Sequence, residues 1–336
     1  PLPAGTQVHL LGHDIGDVLY EQKGPDAIRD CTPDFGNACS HAIAIGTMEH
    51  FGDKGLTILK DACAKVTETG GIGAYNICMH GVGHGVFAYS DYSLEKTIPI
   101  CATFGTKADH YREYQECVGG SIMELIGGGG HDREAWLAAQ KKYFDPSDPL
   151  SPCDSAIIPQ NAKQICYIYL TPRLLTLAGS KGPSPHDPVL FAKAFAYCDL
   201  LPTTDTVLRT ACFGGFGKEF DSFAGDRDVR LLQEGKYSDA QIAHIDSWCA
   251  LAGNEEGYAA CAKTAVSSLF WGGEYEPSTS FRFCAAINTP AVKDACYQEL
   301  TSAIITFLRP GFSRNQLCIQ LPTAQAARCE SSKSVY

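Results

Sequence analysis

The 336-residue chain contains no Cys-x-x-Cys pair and no Asn-x-Ser/Thr acceptor. No apolar run approaches the ~20 residues that a membrane-spanning helix needs. The first absence excludes zinc knuckles and ribbons, and haem attachment through Cys-x-x-Cys-His. The second removes the marker of a eukaryotic glycosylating route. Positive charge is also short, with 27 Lys and Arg against 38 Asp and Glu, for a net charge of −11. That balance argues against nucleic acid and anionic membrane surfaces as partners. Alternating β-branched runs longer than about five residues are missing, so strand signals are weak. Aromatics make up 10% of the chain without forming the stripe seen in polysaccharide binders. No signal-peptide pattern is visible, and a chain opening on Pro1 reads as a processed form.

What is present is a folded-protein composition, 45% apolar and 19% charged. The length suits one large domain or two ordinary ones. The strongest compositional fact is sixteen cysteines, an even number that permits complete pairing. Such cysteine usage predicts an oxidising compartment, secreted or periplasmic.

The cysteines fall into consecutive couples: Cys31/Cys39, Cys63/Cys78, Cys101/Cys117, Cys153/Cys166, Cys198/Cys212, Cys249/Cys261, Cys284/Cys296 and Cys318/Cys329. Successive second cysteines are spaced by 33 to 49 residues, a step typical of two-helix repeats. Around Cys296 the pattern is explicit. Thr289 is placed to cap a helix and Pro290 to open it, and apolar residues then recur at three and four through Phe307. The stretch from Asp205 to Phe220 around Cys212 reads the same way, and Thr6 is placed to cap an N-terminal helix. First cysteines close a helical pattern shortly before Pro or Gly, as at Cys198 and Cys249. The predicted fold is all-α: disulfide-stapled helical-hairpin repeats forming a solenoid or an α/α toroid. The ladder crosses the Pro-rich stretches 145–152 and 182–188 unchanged. A single domain over 1–336 is therefore expected, with a His-rich metal-site part at 1–135 and a scaffold or substrate surface at 153–336.

Eight of the ten histidines lie at or before residue 131. His80 and His84 stand four apart in Cys78-Met-His-Gly-Val-Gly-His-Gly, so a helix points both rings the same way. Gly81, Gly83 and Gly85 each weaken that helix by about 1 kcal/mol, which calls for a close neighbour on this face. His9 and His13 form a second such pair. His41 stands two residues after Cys39, as His80 does after Cys78, whereas later repeats carry Gly119, Ile168, Gly214, Lys263 and Gln298 there. His9, His13, His41, His80 and His84 are therefore the predicted metal ligands, and the glycines are expected to admit the helix that bears His9 and His13.

Imidazole suits zinc, copper, iron and nickel, and a His-dominated set favours copper or iron, with zinc next. Asp14, Glu49 and Glu124 are candidate acid–base residues or further ligands. The run from Gly127 to Gly130 before His131 reads as a close-approach loop that covers the site. A metal-dependent oxidoreductase is the leading reading. The alternatives are a zinc hydrolase with Asp14 or Glu124 as base, and a non-enzymatic repeat protein that presents a binding surface. Two axial histidines would also serve a haem. Substrate and oligomeric state are not readable from the residues.

Overall fold

A computed structural model describes residues 8–31, 38–105, 111–128, 132–181, 185–225, 237–272 and 277–332, with backbone only at 8–10, 69, 70, 271 and 272. Every regular element among them is helical and none is a strand. Thr6, proposed as a cap, lies outside the described residues, as do His110, Gly129, Gly130 and His131.

Contacts divide the chain into two compact units. The N-terminal unit holds residues 7–68 and 74–177, and the C-terminal unit holds residues 69–73 and 178 onward. The cysteine ladder runs through both, and all eight couples are bonded as neighbours in sequence, with Cα–Cα distances of 5.4 to 5.7 Å. Four bridges fall in each unit.

In the N-terminal unit the elements are α1 (Val8–Lys23), α2 (Ala38–Phe51), α3 (Lys54–Tyr89, apart from its turn at 69–73), α4 (Leu94–Cys101), α5 (Tyr111–Gly127), α6 (Arg133–Tyr143), α7 (Gln160–Tyr169) and α8 (Thr171–Ala178), the last reaching the boundary. α3 is not one rod. Cys63 and Cys78 are 15 residues apart, which a straight helix would separate by about 22 Å. Their Cα atoms lie 5.5 Å apart instead, because Gly71 adopts φ 68° and turns the chain back. Only glycine takes such a backbone without steric penalty. α3 is therefore two limbs of a hairpin, as the cysteine spacing predicts.

α2 and the second limb of α3 form the centre of this unit. From Ala38 to Ile45 and from Cys78 to Phe87 every residue is buried. Helices apolar or small on all sides belong in the interior, covered by other helices. α6 closes one end of α5: Trp136 Nε1 donates to the Glu124 carbonyl at 2.9 Å, and Gln140 Nε2 donates to the Leu125 and Ile126 carbonyls at 3.0 and 3.1 Å. The Glu124 carbonyl also accepts from the Gly128 amide at 2.9 Å, and the Leu125 and Ile126 carbonyls at the helix end are met by the Gln140 side chain.

The C-terminal unit continues the hairpins with α9 (Pro188–Phe195), α10 (Thr206–Ala224), α11 (Asp239–Cys249), α12 (Glu255–Ser267), α13 (Pro277–Ala286), α14 (Pro290–Phe307), α15 (Arg314–Cys318) and α16 (Thr323–Ser331). Asp205 caps α10, accepting from the Leu208 amide at 3.1 Å. Thr289 and Pro290 open α14 as their sequence predicts, although the Thr289 side chain makes no capping bond. Phe191, Phe195, Phe213, Phe216 and Phe220 are fully buried and build the core where α9 meets α10. Among the described residues, no helix is long and apolar enough to cross a membrane.

Each bridge removes chain entropy from the unfolded state, and a loop of this length contributes about 3 kcal/mol in the chain-entropy model. Replacing both Cys249 and Cys261 by Ala should lower stability by about that amount. The check is the midpoint of guanidinium unfolding; an unchanged midpoint would show that the ladder is not what holds the hairpins.

Candidate metal centre

Three helices bring the site together, and glycine sets how closely they approach. A Cβ on Gly83 of α3 would lie 2.0 Å from the Cys117 carbonyl oxygen of α5. A Cβ on Gly120 of α5 would lie 1.9 Å from the His80 carbonyl oxygen of α3. Gly85 meets the Ala44 carbonyl of α2 in the same way, at 2.6 Å, and Gly81 lies over Ser40. The close neighbours of these glycines are thus α2 and α5, not the helix bearing His9 and His13. α1 docks separately on α2, where a Cβ on Gly16 would fall 2.4 Å from the Cys39 carbonyl oxygen.

This packing gathers His41 from α2 with His80 and His84 from α3. They are 1%, 7% and 2% exposed, and one ligand atom from each lies within 4.8 Å of the others. His80 Nε2 and His84 Nε2 are 3.3 Å apart. The His41 ring stacks on the His84 ring, with centroids 3.9 Å apart and planes at 12°.

α5 supplies the surrounding groups. Glu124, 1% exposed, has Oε2 2.8 Å from His84 Nδ1. An ionised carboxylate only accepts, so Nδ1–H of His84 donates to it. One face of the Glu124 carboxylate is closed by Gly128, where a Cβ would sit 2.0 Å from Oε1. The glycine run thus packs over the site at Gly128, while Gly127 faces open space. The Met123 sulfur lies 3.4 Å from His80 Nε2. On the other side of His80, Nδ1 is 3.8 Å from Glu116 Oε2, and Arg112 Nε donates to Glu116 Oε1 at 2.9 Å. Burial pushes the Glu116 carboxyl up, against the pull of the Arg112 guanidinium. The Tyr169 ring of α7 lies 4.9 Å from the His80 ring. The Tyr92 hydroxyl is pushed up to about 12, first by burial and then by the negative charge of Glu124.

The other predicted residues are placed differently. His13 is half-buried beside the triad, its ring 5.6 Å from that of His41. His9 lies on α1 one turn earlier, and its side chain is outside the described residues. Asp14 and Glu49 are exposed. Glu116, Met123 and Tyr169, which border His80, are not among the residues predicted from sequence. A signal existed for Met123, which follows Cys117 by six residues as His84 follows Cys78.

No protein-family model, characterised protein or solved structure matches the chain.

A methyl group at Gly120 must displace either the α5 backbone or the carbonyl of His80. Gly120→Ala should therefore destabilise by at least the 1–3 kcal/mol typical of overpacking. Gly127→Ala, with open space around it, should be neutral or slightly stabilising. Thermal unfolding of the two variants distinguishes them, and equal effects would contradict the backbone contact described here.

Proposed function

We propose that the His41, His80 and His84 cluster is a transition-metal centre of an extracytoplasmic oxidoreductase. The observation that carries this reading is the line from Glu124 through His84 to His80. Two nitrogen ligands on one tetrahedral ion with bonds of 2.0–2.1 Å stand about 3.3 Å apart, and the two Nε2 atoms are 3.3 Å apart. The carboxylate behind His84 is the outer partner that metal-bound imidazoles regularly have; it fixes the tautomer and raises ligand basicity. His41 is the third ligand, and a turn of its ring off the stack on His84 brings its nitrogen in. Glu124, held against His84, provides negative charge that a buried cation needs.

Copper is favoured over iron, because imidazole combined with the Met123 thioether is a soft donor set. Such an ion would supply one-electron chemistry, with His41, His80 and His84 holding it and open positions left for a small oxidant or substrate. The eight disulfides fit the oxidising environment in which such a protein would work.

Zinc-dependent hydrolysis is the second reading, supported by the same carboxylate–histidine pair, which recurs around zinc. It needs a base close to the bound water. Asp14 and Glu49 are exposed, and Glu124 is engaged by His84, so the redox reading is preferred. Haem is disfavoured on packing grounds: the space that the glycines open is filled by the Ser40, Ala44 and Cys117 backbone. The binding-protein reading has no observation in its favour at the triad.

Protein purified without chelator should carry metal in a fixed ratio to the chain and lose it in His80→Ala and His84→Ala. Glu124→Gln should keep the site but weaken it by about 10–100-fold, the usual effect of losing an outer partner. Elemental analysis with an absorption spectrum is the decisive pair of measurements. A coloured, copper- or iron-loaded protein supports the redox reading, a colourless zinc protein supports the hydrolase, and no retained or added metal overturns both.

A further inference from the structure

We infer that His13 is the ligand through which the metal enters and leaves the centre, and not one of its resident ligands. This rests on the reading of the triad as a metal centre. The three triad rings are at most 7% exposed, so a hydrated cation cannot reach them directly. Stripping its water before protein ligands replace it would place a bare charge in a low-dielectric interior. A stepwise exchange avoids this, because each new imidazole binds before the last water or ligand leaves.

The residues for such a chain are in place. His13 is half-buried, at the boundary between solvent and the packed centre. Its ring lies 5.6 Å from that of His41, which lies 3.9 Å from His84 and 5.6 Å from His80. The His41 ring is thus a neighbour both of the His13 ring and of the two imidazoles on α3. A ring nitrogen stands off its centroid by roughly an ångström, and two donors share one ion when up to about 4.2 Å apart. Rotation of the His41 side chain therefore carries an ion from His13 to the pair on α3. The transfer exchanges ligands only: no electron moves, and any proton on an imidazole is released as the metal takes its lone pair.

The backbone holds this arrangement. Gly16 follows His13 by three residues, about one helical turn, and packs on the Cys39 carbonyl two residues before His41. The contact that requires glycine at position 16 thus sets His13 against His41. Residence of His13 in the centre is a different arrangement: its ring is not among the three whose ligand atoms converge within 4.8 Å.

An entry ligand changes the rates in both directions and leaves the equilibrium alone, whereas a resident ligand changes the equilibrium. The full chain, stripped of metal, is mixed with cuprous ion held by a weak chromogenic chelator; colour loss gives the rate and its endpoint the affinity. Return of the ion to excess chelator gives the release rate. His13→Ala and the bulkier His13→Gln should slow uptake and release alike by about tenfold or more, with endpoint affinity within about threefold of the parent. His41→Ala should lower the affinity itself. His50→Ala, which removes an exposed histidine of α2, should change neither. The inference is overturned if the His13 variants lose affinity as His41→Ala does, if they take up metal at the parent rate, or if His50→Ala slows uptake equally. A parent protein that takes no ion from the chelator overturns the metal centre itself, a result distinct from any of these.

Discussion

The contact on which the N-terminal unit depends is made without side chains. The carbonyl of Cys117 rests on Gly83 and the carbonyl of His80 rests on Gly120. Helices with ordinary side chains between them pack 8–10 Å apart; bare backbone on both sides allows a closer approach. The helix propensity surrendered at Gly81, Gly83 and Gly85, about 3 kcal/mol together, is offset by this packing and by the burial of two helices on every side. The same contact fixes the peptide that carries His80. It also sets α5 against α3 so that Glu116, Met123 and Glu124 face the two imidazoles. Any adjustment of the spacing would move the histidines and the carboxylates beside them together.

Such a centre places polar groups where an unsupported one would be costly. A carboxylate as buried as Glu124 requires a hydrogen-bonded or charged partner, since the desolvation penalty is several kcal/mol. His84 provides that partner, and Arg112 does the same for Glu116. The disulfides act on the other side of the balance by lowering the entropy of the unfolded chain. Cys39 and Cys78, each covalently tied to the segment before it, stand two residues before His41 and His80. The histidines are therefore held by stapled hairpins rather than by a mobile loop, which favours a preorganised site.

Much of this was legible in the sequence because it is written at short range. Couples of cysteines 8 to 16 residues apart can be paired by proximity alone, and their bonding follows that order. The i,i+4 relation of His80 and His84 and the shared step from cysteine to His41 and His80 are also local, and all three rings converge. What was not legible was long-range or a matter of helical phase. Asp14 adjoins His13 in sequence, yet one residue turns the helix by about 100° and leaves it exposed. Glu49 follows His41 by eight residues, which puts it about 80° round α2 from that ring. Which helix would rest on the α3 glycines was decided by the order in which hairpins pack, so α2 and α5 took the place expected for α1. Met123 is marked only by the sixth position after its cysteine, a register it shares with His84 but not with His41 or His80.

The C-terminal unit shows what the scaffold requires and what it does not. There, Gly217 of α10 packs on the Cys261 carbonyl of α12, where a Cβ would fall 2.0 Å from the oxygen. Gly217 follows Cys212 by five residues, as Gly83 follows Cys78. The same backbone device is thus built twice, from the same position in the repeat. In that second copy the residues two and six after the cysteine are Gly214 and Lys218, where the first has His80 and His84. Lys218 pairs with its neighbour Glu219. A hairpin contact of this kind therefore forms with glycine and lysine in the histidine positions. Two histidines that serve only to fill a helix crossing would have an easy substitute, and the chain itself supplies the example. Their presence in one copy, buried together with a third imidazole and a carboxylate, is what supports the proposal that they hold a metal ion.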